Sequence, residues 1–421
     1  MINSTLFLYI DPGTGSMLFS ILLGLFTTLF FVVRALAIKF KFMFTGKKVV
    51  TDTKKRKFVV FCEGAQYITV FLPVLEVFEK RQTKVYYLTS VKDDPAFAAK
   101  YNYVTPEYIG EGNVAITKLN MLIADVCLMT TPSLNVYQLK RSKGVKHYAH
   151  VLHMPNDATT YRMFGLDYFD SVLLSGDYQK KDLQKLEEIR NTPKKELITV
   201  GCPYLDTLQK KFDNFKNKQK ADKSTNFTVL VSPSWGKEAL LLKYGSKLLD
   251  PLVKTGFTII VRPHPQSKKS ETAMLEKLQA RYKDTTTLQW DFERDNIGAM
   301  IKSDVMISDF SGIIFDYTFL CDKPFLYVNT DINLDCYDAG DLLELDPPIQ
   351  PWQFAILPKI GRQVQEKDFA QIGTILKDMS DSKELAEERQ QAKDTAWMYR
   401  GQSGDKVVEF MIRKQIELSN N

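Results

Sequence analysis

The chain has 421 residues, 44% hydrophobic and 25% charged, which argues against a disordered or low-complexity polypeptide and leaves room for two or three domains. Its five cysteines, Cys62, Cys127, Cys202, Cys321 and Cys336, are odd in number and include no C-x-x-C pair. That argues against a disulfide framework or a zinc ribbon and fits a reducing compartment. The net charge of +6 is local: nine basic residues and one acid lie between Arg34 and Lys57, while residues 58–421 carry 47 basic and 48 acidic residues, so no nucleic-acid-binding surface is expected.

Residues 12–33 form an uncharged run of 22, with its most apolar part at 17–33, MLFSILLGLFTTLFFVV. About 20 such residues span a bilayer core. A cleaved signal peptide would need positive charge ahead of the run, whereas residues 1–16 hold only Asp11, and a buried helix is rarely so apolar on every face. The sequence predicts a short extracytoplasmic amino end at 1–16, a single transmembrane helix with its basic flank at 17–38 and a basic juxtamembrane linker at 39–56. Lysine and arginine gather on the cytoplasmic side of a span, so the body is expected at the cell membrane facing the cytoplasm, with membrane lipids as partners of the basic segment.

Beyond residue 56, short apolar runs alternate with helical periodicity. Strands are predicted at 57–62 (KFVVFC), 84–88, 124–129, 146–152, 171–174 and 197–200, with helices at 67–79, 114–122 and 177–190. The lysine-rich stretch 210–226 reads as a surface helix and linker and marks a domain boundary. A second alternation follows, with strands at 227–232, 257–262, 287–290, 304–308 and 324–328 and helices at 238–249, 271–282, 297–301 and 313–320. The fold class is α/β: one Rossmann-like domain at 57–215, a second Rossmann-like domain at 216–395, and a carboxyl-terminal helix at 396–421. Ligands of such folds bind near the carboxyl ends of the strands.

Candidate chemistry sits at those strand ends. FTIIVRPHPQ at 257–266 ends in Arg262-Pro263-His264-Pro265. Arg262 offers a planar fork for phosphate oxygens, and His264 can carry charge near neutral pH. DVMISDFSGIIFDY at 304–317 places Asp309, Ser311 and Gly312 at a helix start, where free N–H groups and the helix dipole favour an anion. VSPSWG at 231–236 presents Ser234 and Trp235 at a third strand end. His147, His150 and His153 are spaced H-x-x-H-x-x-H, which raises zinc. Strand alternation turns His147 and His153 away from His150, and no cysteine or glutamate stands at ligand spacing, so no metal is expected there. His153, at the strand's end, is a general-base candidate, while His147 and His150 read as packing or hydrogen-bonding residues. The markers D-x-D, G-x-x-x-x-G-K-[ST] and G-x-G-x-x-G do not occur, and no cofactor is expected.

At these residues the sequence resembles the CDP-glycerol glycerophosphotransferase family, which builds teichoic-acid-type chains on a GT-B fold. Val200–Leu208 resembles its G-x-P-R-x-D-x-L segment, Val231–Gly236 its P-[TS]-W segment, Arg262–Pro265 its R-x-H-P segment, and Ile307–Tyr317 its D-[YF]-S-S-x-x-x-D segment. His153 falls where a W-H-G-[TS] histidine belongs, although here the neighbours are Leu152, Met154 and Pro155. Tyr204 stands in place of the arginine and Gly312 in place of a serine. The resemblance implies a CDP-glycerol or related CDP-polyol donor and a lipid-linked or glycan acceptor. It implies that Arg262, His264, Ser234, Ser311 and Gly312 hold the donor, that Asp309 fixes its loop or contacts the donor, and that His153 is the base. Two rival readings are a GT-B glycosyltransferase or epimerase using a UDP-sugar, and a non-catalytic membrane scaffold with a vestigial cleft.

Overall fold

The computed structural model describes residues 23–30, 32–34, 54–218, 226–293, 295–328, 332–381 and 385–420. The chain divides into two units, residues 1–53 and 54–421. In the first, residues 23–30 and 32–34 are helical and exposed. No described helix is long and apolar enough to cross a membrane. Residues 17–22, 31 and 35–38 of the expected span, and most of the expected linker, lie outside the described residues.

The second unit opens with a seven-stranded sheet, all parallel, in the order β3-β2-β1-β4-β5-β6-β7. The strands are β1 (Arg56–Cys62), β2 (Val85–Thr89), β3 (Val104–Tyr108), β4 (Ala124–Met129), β5 (Val145–Val151), β6 (Ser171–Leu174) and β7 (Glu196–Thr199). Strands covered on both faces read as continuous apolar runs, which is why β1, β2 and β4 stand out in sequence. Helix α1 (Ile68–Lys80) packs on one face and α2 (Asn113–Leu119) on the other; α3 (Tyr178–Arg190) follows β6. Residues alternate between faces along β5: Ala149 and Val151 join one core, Tyr148 and Leu152 the other.

The second sheet has six parallel strands in the order β10-β9-β8-β11-β12-β13. These are β8 (Thr228–Val231), β9 (Thr258–Val261), β10 (Leu288–Trp290), β11 (Val305–Ser308), β12 (Phe325–Val328) and β13 (Arg362–Val364). The strand order reverses direction between β8 and β11. In such sheets the crevice at the reversal, outside the carboxyl ends, is where ligands bind. The segments 231–236 and 304–317 therefore flank this crevice. The helix expected over 238–249 is broken at Gly245, whose φ of +39° leaves the right-handed region, so that Leu240–Lys243 and Ser246–Lys254 are separate.

Helix α4 (Pro203–Lys218) serves both sheets. Leu205, Leu208 and Phe212 enter the second core, while the Thr207 hydroxyl donates to the Thr69 carbonyl of α1 at 2.8 Å. The expected boundary at 215/216 thus falls inside a helix. The chain also returns twice to the first sheet. Helix α5 (Asp338–Leu343) buries Leu342 in the first core and sets Asp338 against Arg190 at 2.8 Å. The terminal helix α6 (Ser403–Asn420) lays Val407, Val408, Phe410 and Met411 on the α1 side. Buried Asp206 fastens that crossing: it accepts from Trp397 Nε1 and Gly401 N–H at 2.8 Å each, from Ser403 N–H at 3.0 Å and from the Ser403 hydroxyl. Gly201 has a φ of +88°, and a side chain there would strike the Met398 carbonyl, so this crossing requires glycine.

Candidate active site

The carboxyl end of β5 and the reversal point of the second sheet meet. A Cβ placed at Gly312 would lie 3.1 Å from Met154 Cε and 3.6 Å from Asn156 Oδ1. Gly312 precedes helix α7 (Ile313–Cys321), so the residue after His153 touches the start of the Ser311–Gly312 helix. Two further ties hold the loops together. Trp352 N–H donates to buried Asp157 at 2.5 Å, and the Trp352 ring lies between Tyr178 (centroids 4.4 Å) and Phe315 (5.5 Å). Aromatic pairs at these separations add cohesion beyond their buried area.

On the second-sheet side, Asp309 is 1% exposed and its carboxylate is fully engaged. It accepts from Ser234 N–H at 2.9 and 3.1 Å, from Leu240 N–H at 2.9 Å and from Ser311 N–H at 3.1 Å. Burial pushes its carboxyl up to about 6, against the pull of these donors. Asp309 thereby holds the Ser234 and Ser311 loops together. The N–H groups of Ser234 and Ser311 are used in this way, and both residues remain part-exposed.

The strand-end placement of Arg262 and His264 is as the sequence predicts, but the arginine fork is occupied. Arg262 Nη1 pairs with Asp291 at 2.6 Å and Nη2 donates to the Glu293 carbonyl at 2.7 Å. These two bonds tie the turn that carries His264 to the loop after β10. The His264 Nδ1 accepts from Gln266 N–H at 3.1 Å, which leaves Nε2 as the N–H of the neutral ring. Burial lowers its pKa, and the nearby Glu271 opposes that shift. Trp235, 46% exposed, lies 6.3 Å from the His264 ring centroid. Its loop is tied a second time where Gly236 N–H donates to Glu271 at 2.6 Å.

The three first-domain histidines do not converge as a metal set. His147 Nε2 lies 2.6 Å from the Ser171 hydroxyl, on the Phe410 side of the sheet. The expected opposition of His150 and His153 is corrected, because β5 ends at Val151 and the chain turns. His153 Nδ1 comes to 2.9 Å from the Tyr161 hydroxyl, and His150 Nε2 to 3.1 Å from the same hydroxyl. Tyr67 packs edge-on against His153 with centroids 5.3 Å apart. Burial lowers the His153 pKa to about 4 and that of His150 to about 3. Both rings are neutral at pH 7, and the titration expected near 6.5 for a histidine base moves down to about 4.

Sequence reasoning missed Tyr161, Asp157, Trp352, Asp291 and the Tyr204–Asp316 pair. In that pair the Tyr204 hydroxyl donates to Asp316 Oδ2 at 2.7 Å, while Oδ1 is buried without a partner in full hydrogen-bond geometry. Burial pushes Asp316 up to about 7. Asp316 closes the 307–317 motif, so its position was visible in sequence, but its partner was not.

The family model described as CDP-Glycerol:Poly(glycerophosphate) glycerophosphotransferase matches residues 49–412. Two structures of the wall teichoic acid polymerase TagF are similar. One is a variant soaked with CDPG, at 14% identity and a TM-score of 0.51, covering 88% of this chain and 91% of that one. The other, a second variant, has 16% identity and a TM-score of 0.54, covering 87% and 91%. UDP-GlcNAc 2-epimerase from Neisseria meningitidis, bound to UDP-GlcNAc, has 13% identity and a TM-score of 0.56, covering 85% and 100%. These likenesses establish a GT-B-like fold of two parallel sheets. No curated protein matches the chain.

Proposed function

Because the chain belongs to the CDP-glycerol:poly(glycerophosphate) glycerophosphotransferase family, we propose that it moves glycerol phosphate, or a similar polyol phosphate, from a CDP-linked donor to an acceptor hydroxyl in teichoic-acid-type polymer synthesis. The observation that supports this reading is the contact of Met154 and Asn156, in the loop that follows His153, with Gly312 at an anion-favouring helix start. The donor diphosphate lies at the reversal of the second sheet. There the Ser234 and Ser311 hydroxyls and the start of α7 receive phosphate oxygens, and His264 donates from Nε2. Arg262 adds positive field and holds the turn. The acceptor oxygen attacks the β-phosphorus, the bond from that phosphorus to the bridging oxygen breaks, and CMP leaves with the electron pair. The acceptor proton passes to His153 Nε2. A positioned base contributes roughly 10²- to 10⁴-fold, and fixed donors on the diphosphate contribute more.

The supporting experiment is a thermal-shift comparison on the protein with CDP-glycerol, CDP-ribitol and UDP-GlcNAc. Stabilisation by the CDP-linked compounds alone is expected. Stabilisation by UDP-GlcNAc alone would favour the epimerase-like reading.

We also propose that residues 17–33 anchor the chain once in the cell membrane, with the catalytic body cytoplasmic and a lipid-linked or glycan acceptor delivered at the bilayer. The uncharged run and its one-sided basic flank support this. Protease added to intact cells should leave the body uncut.

A further inference from the structure

We infer that the amino-terminal edge of the first sheet is a docking face for an anionic bilayer, and that a cleft in this edge takes a phospholipid headgroup. This goes beyond the transfer reaction. It rests on the proposed membrane anchor only for the choice of a bilayer over a soluble polyanion.

All seven strands run parallel, so their amino ends share one edge. Lysines stand along it. Lys84 comes immediately before β2 and Lys55 immediately before β1, while Lys143 lies just ahead of β5 and Lys194 just ahead of β7. All four are exposed. With strands about 4.8 Å apart, they spread over roughly 24 Å from β2 to β7. The carboxylates at the starts of β4, β6 and β7 do not offset them, because each has its own cation. Asp125 pairs with Lys146 at 3.3 Å, Asp170 with Arg141 at 2.9 Å and Glu196 with Lys414 at 2.6 Å. Among the described residues, Lys55, Lys57, Lys84, Lys143 and Lys194 form no ion pair with a carboxylate.

Between the starts of β1 and β2 and helix α6 the edge deepens into a cleft of about 620 Å³, lined in part by Lys55, Lys57, Lys84, Tyr86, Ile412 and Ile416. Three cations gather on the Tyr86 ring: Lys54 Nζ at 4.5 Å, the Arg56 guanidinium at 5.0 Å and Lys84 Nζ at 5.8 Å from its centroid. Glu107, 3.4 Å from Arg56, answers one of these charges. The ring attracts cations without carrying net charge, so the cluster keeps a positive surplus. Ile416, 52% exposed, and the half-buried Ile412 supply an apolar wall. Lysines around a phosphate, with aliphatic side chains beside them, match the headgroup and upper acyl region of an anionic phospholipid.

The course of the chain selects a bilayer as the source of that phosphate. The uncharged run ends at Val33, nine basic residues and one acid follow from Arg34 to Lys57, and Lys55 and Lys57 at the end of that stretch line the cleft. The polybasic segment and the docking face are therefore continuous at β1. His153 follows the carboxyl end of β5, roughly 20 Å along the strand from this edge. A body docked by its amino-terminal edge keeps the crevice open to the donor.

The test is lysine footprinting of the full chain, reconstituted in mixed phosphatidylglycerol–phosphatidylcholine vesicles and, separately, in phosphatidylcholine alone. An amine-reactive ester is added, and the rate at each lysine is read by mass spectrometry. A lysine at an anionic surface gains about fivefold in occupancy. Lys55, Lys57 and Lys84 should thus react roughly fivefold more slowly in the anionic vesicles, with Lys143 and Lys194 following, and the protection should vanish in about 1 M salt. Lys268 and Lys269, beside His264, should react equally in both. The triple variant Lys55→Gln/Lys57→Gln/Lys84→Gln breaks no ion pair among the described residues, so it should melt as the unsubstituted protein does and lose the protection of Lys143 and Lys194. Equal rates at Lys55, Lys57 and Lys84 in the two vesicle types, or unchanged protection in the variant, overturns the inference. So does protection by soluble polyphosphate without protection by anionic vesicles, which marks a site for an anionic polymer. Alkaline carbonate extraction of cell membranes tests the anchor separately: a chain released there lacks the anchor, while the footprint with added vesicles still decides the docking face.

Discussion

At the scale of single residues, the two proposed catalytic histidines differ in environment, and their variants should differ accordingly. His153→Ala should depress turnover by roughly 10²- to 10⁴-fold and spare donor affinity, because the ring is assigned to the acceptor proton. His264→Ala should weaken donor binding and slow chemistry together, because its Nε2–H is assigned to the donor phosphates. Steady-state kcat and KM separate the two. The pH profile follows from burial: the rising limb set by His153 should lie near 4, below the ordinary 6.5, since the neutral ring persists down to that pH. Asp309→Asn leaves an amide where a carboxylate received three backbone N–H groups, turning one acceptor into a donor against a donor. Loss of about 1–3 kcal/mol in denaturant unfolding is expected, with weakened donor binding as the Ser234 and Ser311 loops part.

At the scale of elements, much of the fold was legible. Strands β4 and β6 coincide with the apolar runs 124–129 and 171–174, and the others match within a residue or two, because a strand covered on both faces must be apolar throughout. The strands that sequence reasoning missed are edges. β3 contains Pro106 and Glu107 and is half exposed, and β13 is only Arg362, Gln363 and Val364. The site was legible on the second-sheet side, since the strand-to-helix turns at 262–265 and 308–312 carry their own local chemistry. It was only half legible on the first. Tyr161 sits in an irregular loop with no periodicity to mark it, and Trp352 meets Asp157 across 195 positions of chain. Contacts of that reach are fixed by tertiary packing and leave no local pattern. The same limit hid the occupation of Arg262 by Asp291, 29 positions on.

At the scale of the whole molecule, the two sheets are joined through buried ionisable groups, and stability should record them. Asp316 on α7 meets Tyr204 on α4, and its folded pKa of about 7 lies above its ordinary 3.8. A group raised in this way favours the fold fully below 3.8 and loses that contribution as pH rises through 7, where a buried carboxylate must ionise. Asp316→Asn cannot ionise. Its melting temperature relative to the unsubstituted protein should therefore climb between pH 5 and pH 8.5, by an amount corresponding to on the order of 2–4 kcal/mol. His150 and His153 act in the opposite sense. Their folded values of about 3 and 4 lie below 6.5, so their contribution is complete above 6.5 and is lost as pH falls toward 4 and then 3. Thermal scans across pH, with and without the Asp316 change, separate the acid limb from the alkaline one.

The joined sheets also frame the central claim, that His153 and the helix start at Gly312 face one reacting diphosphate. The direct measurement is CMP release, followed by chromatography, when the purified protein is given CDP-glycerol and a glycerol-phosphate-terminated acceptor. The account predicts CMP formed in step with acceptor elongation by the unsubstituted protein, and release reduced by roughly 10²-fold or more in His153→Ala with the fold intact. Equal CMP release and elongation in both proteins would contradict it.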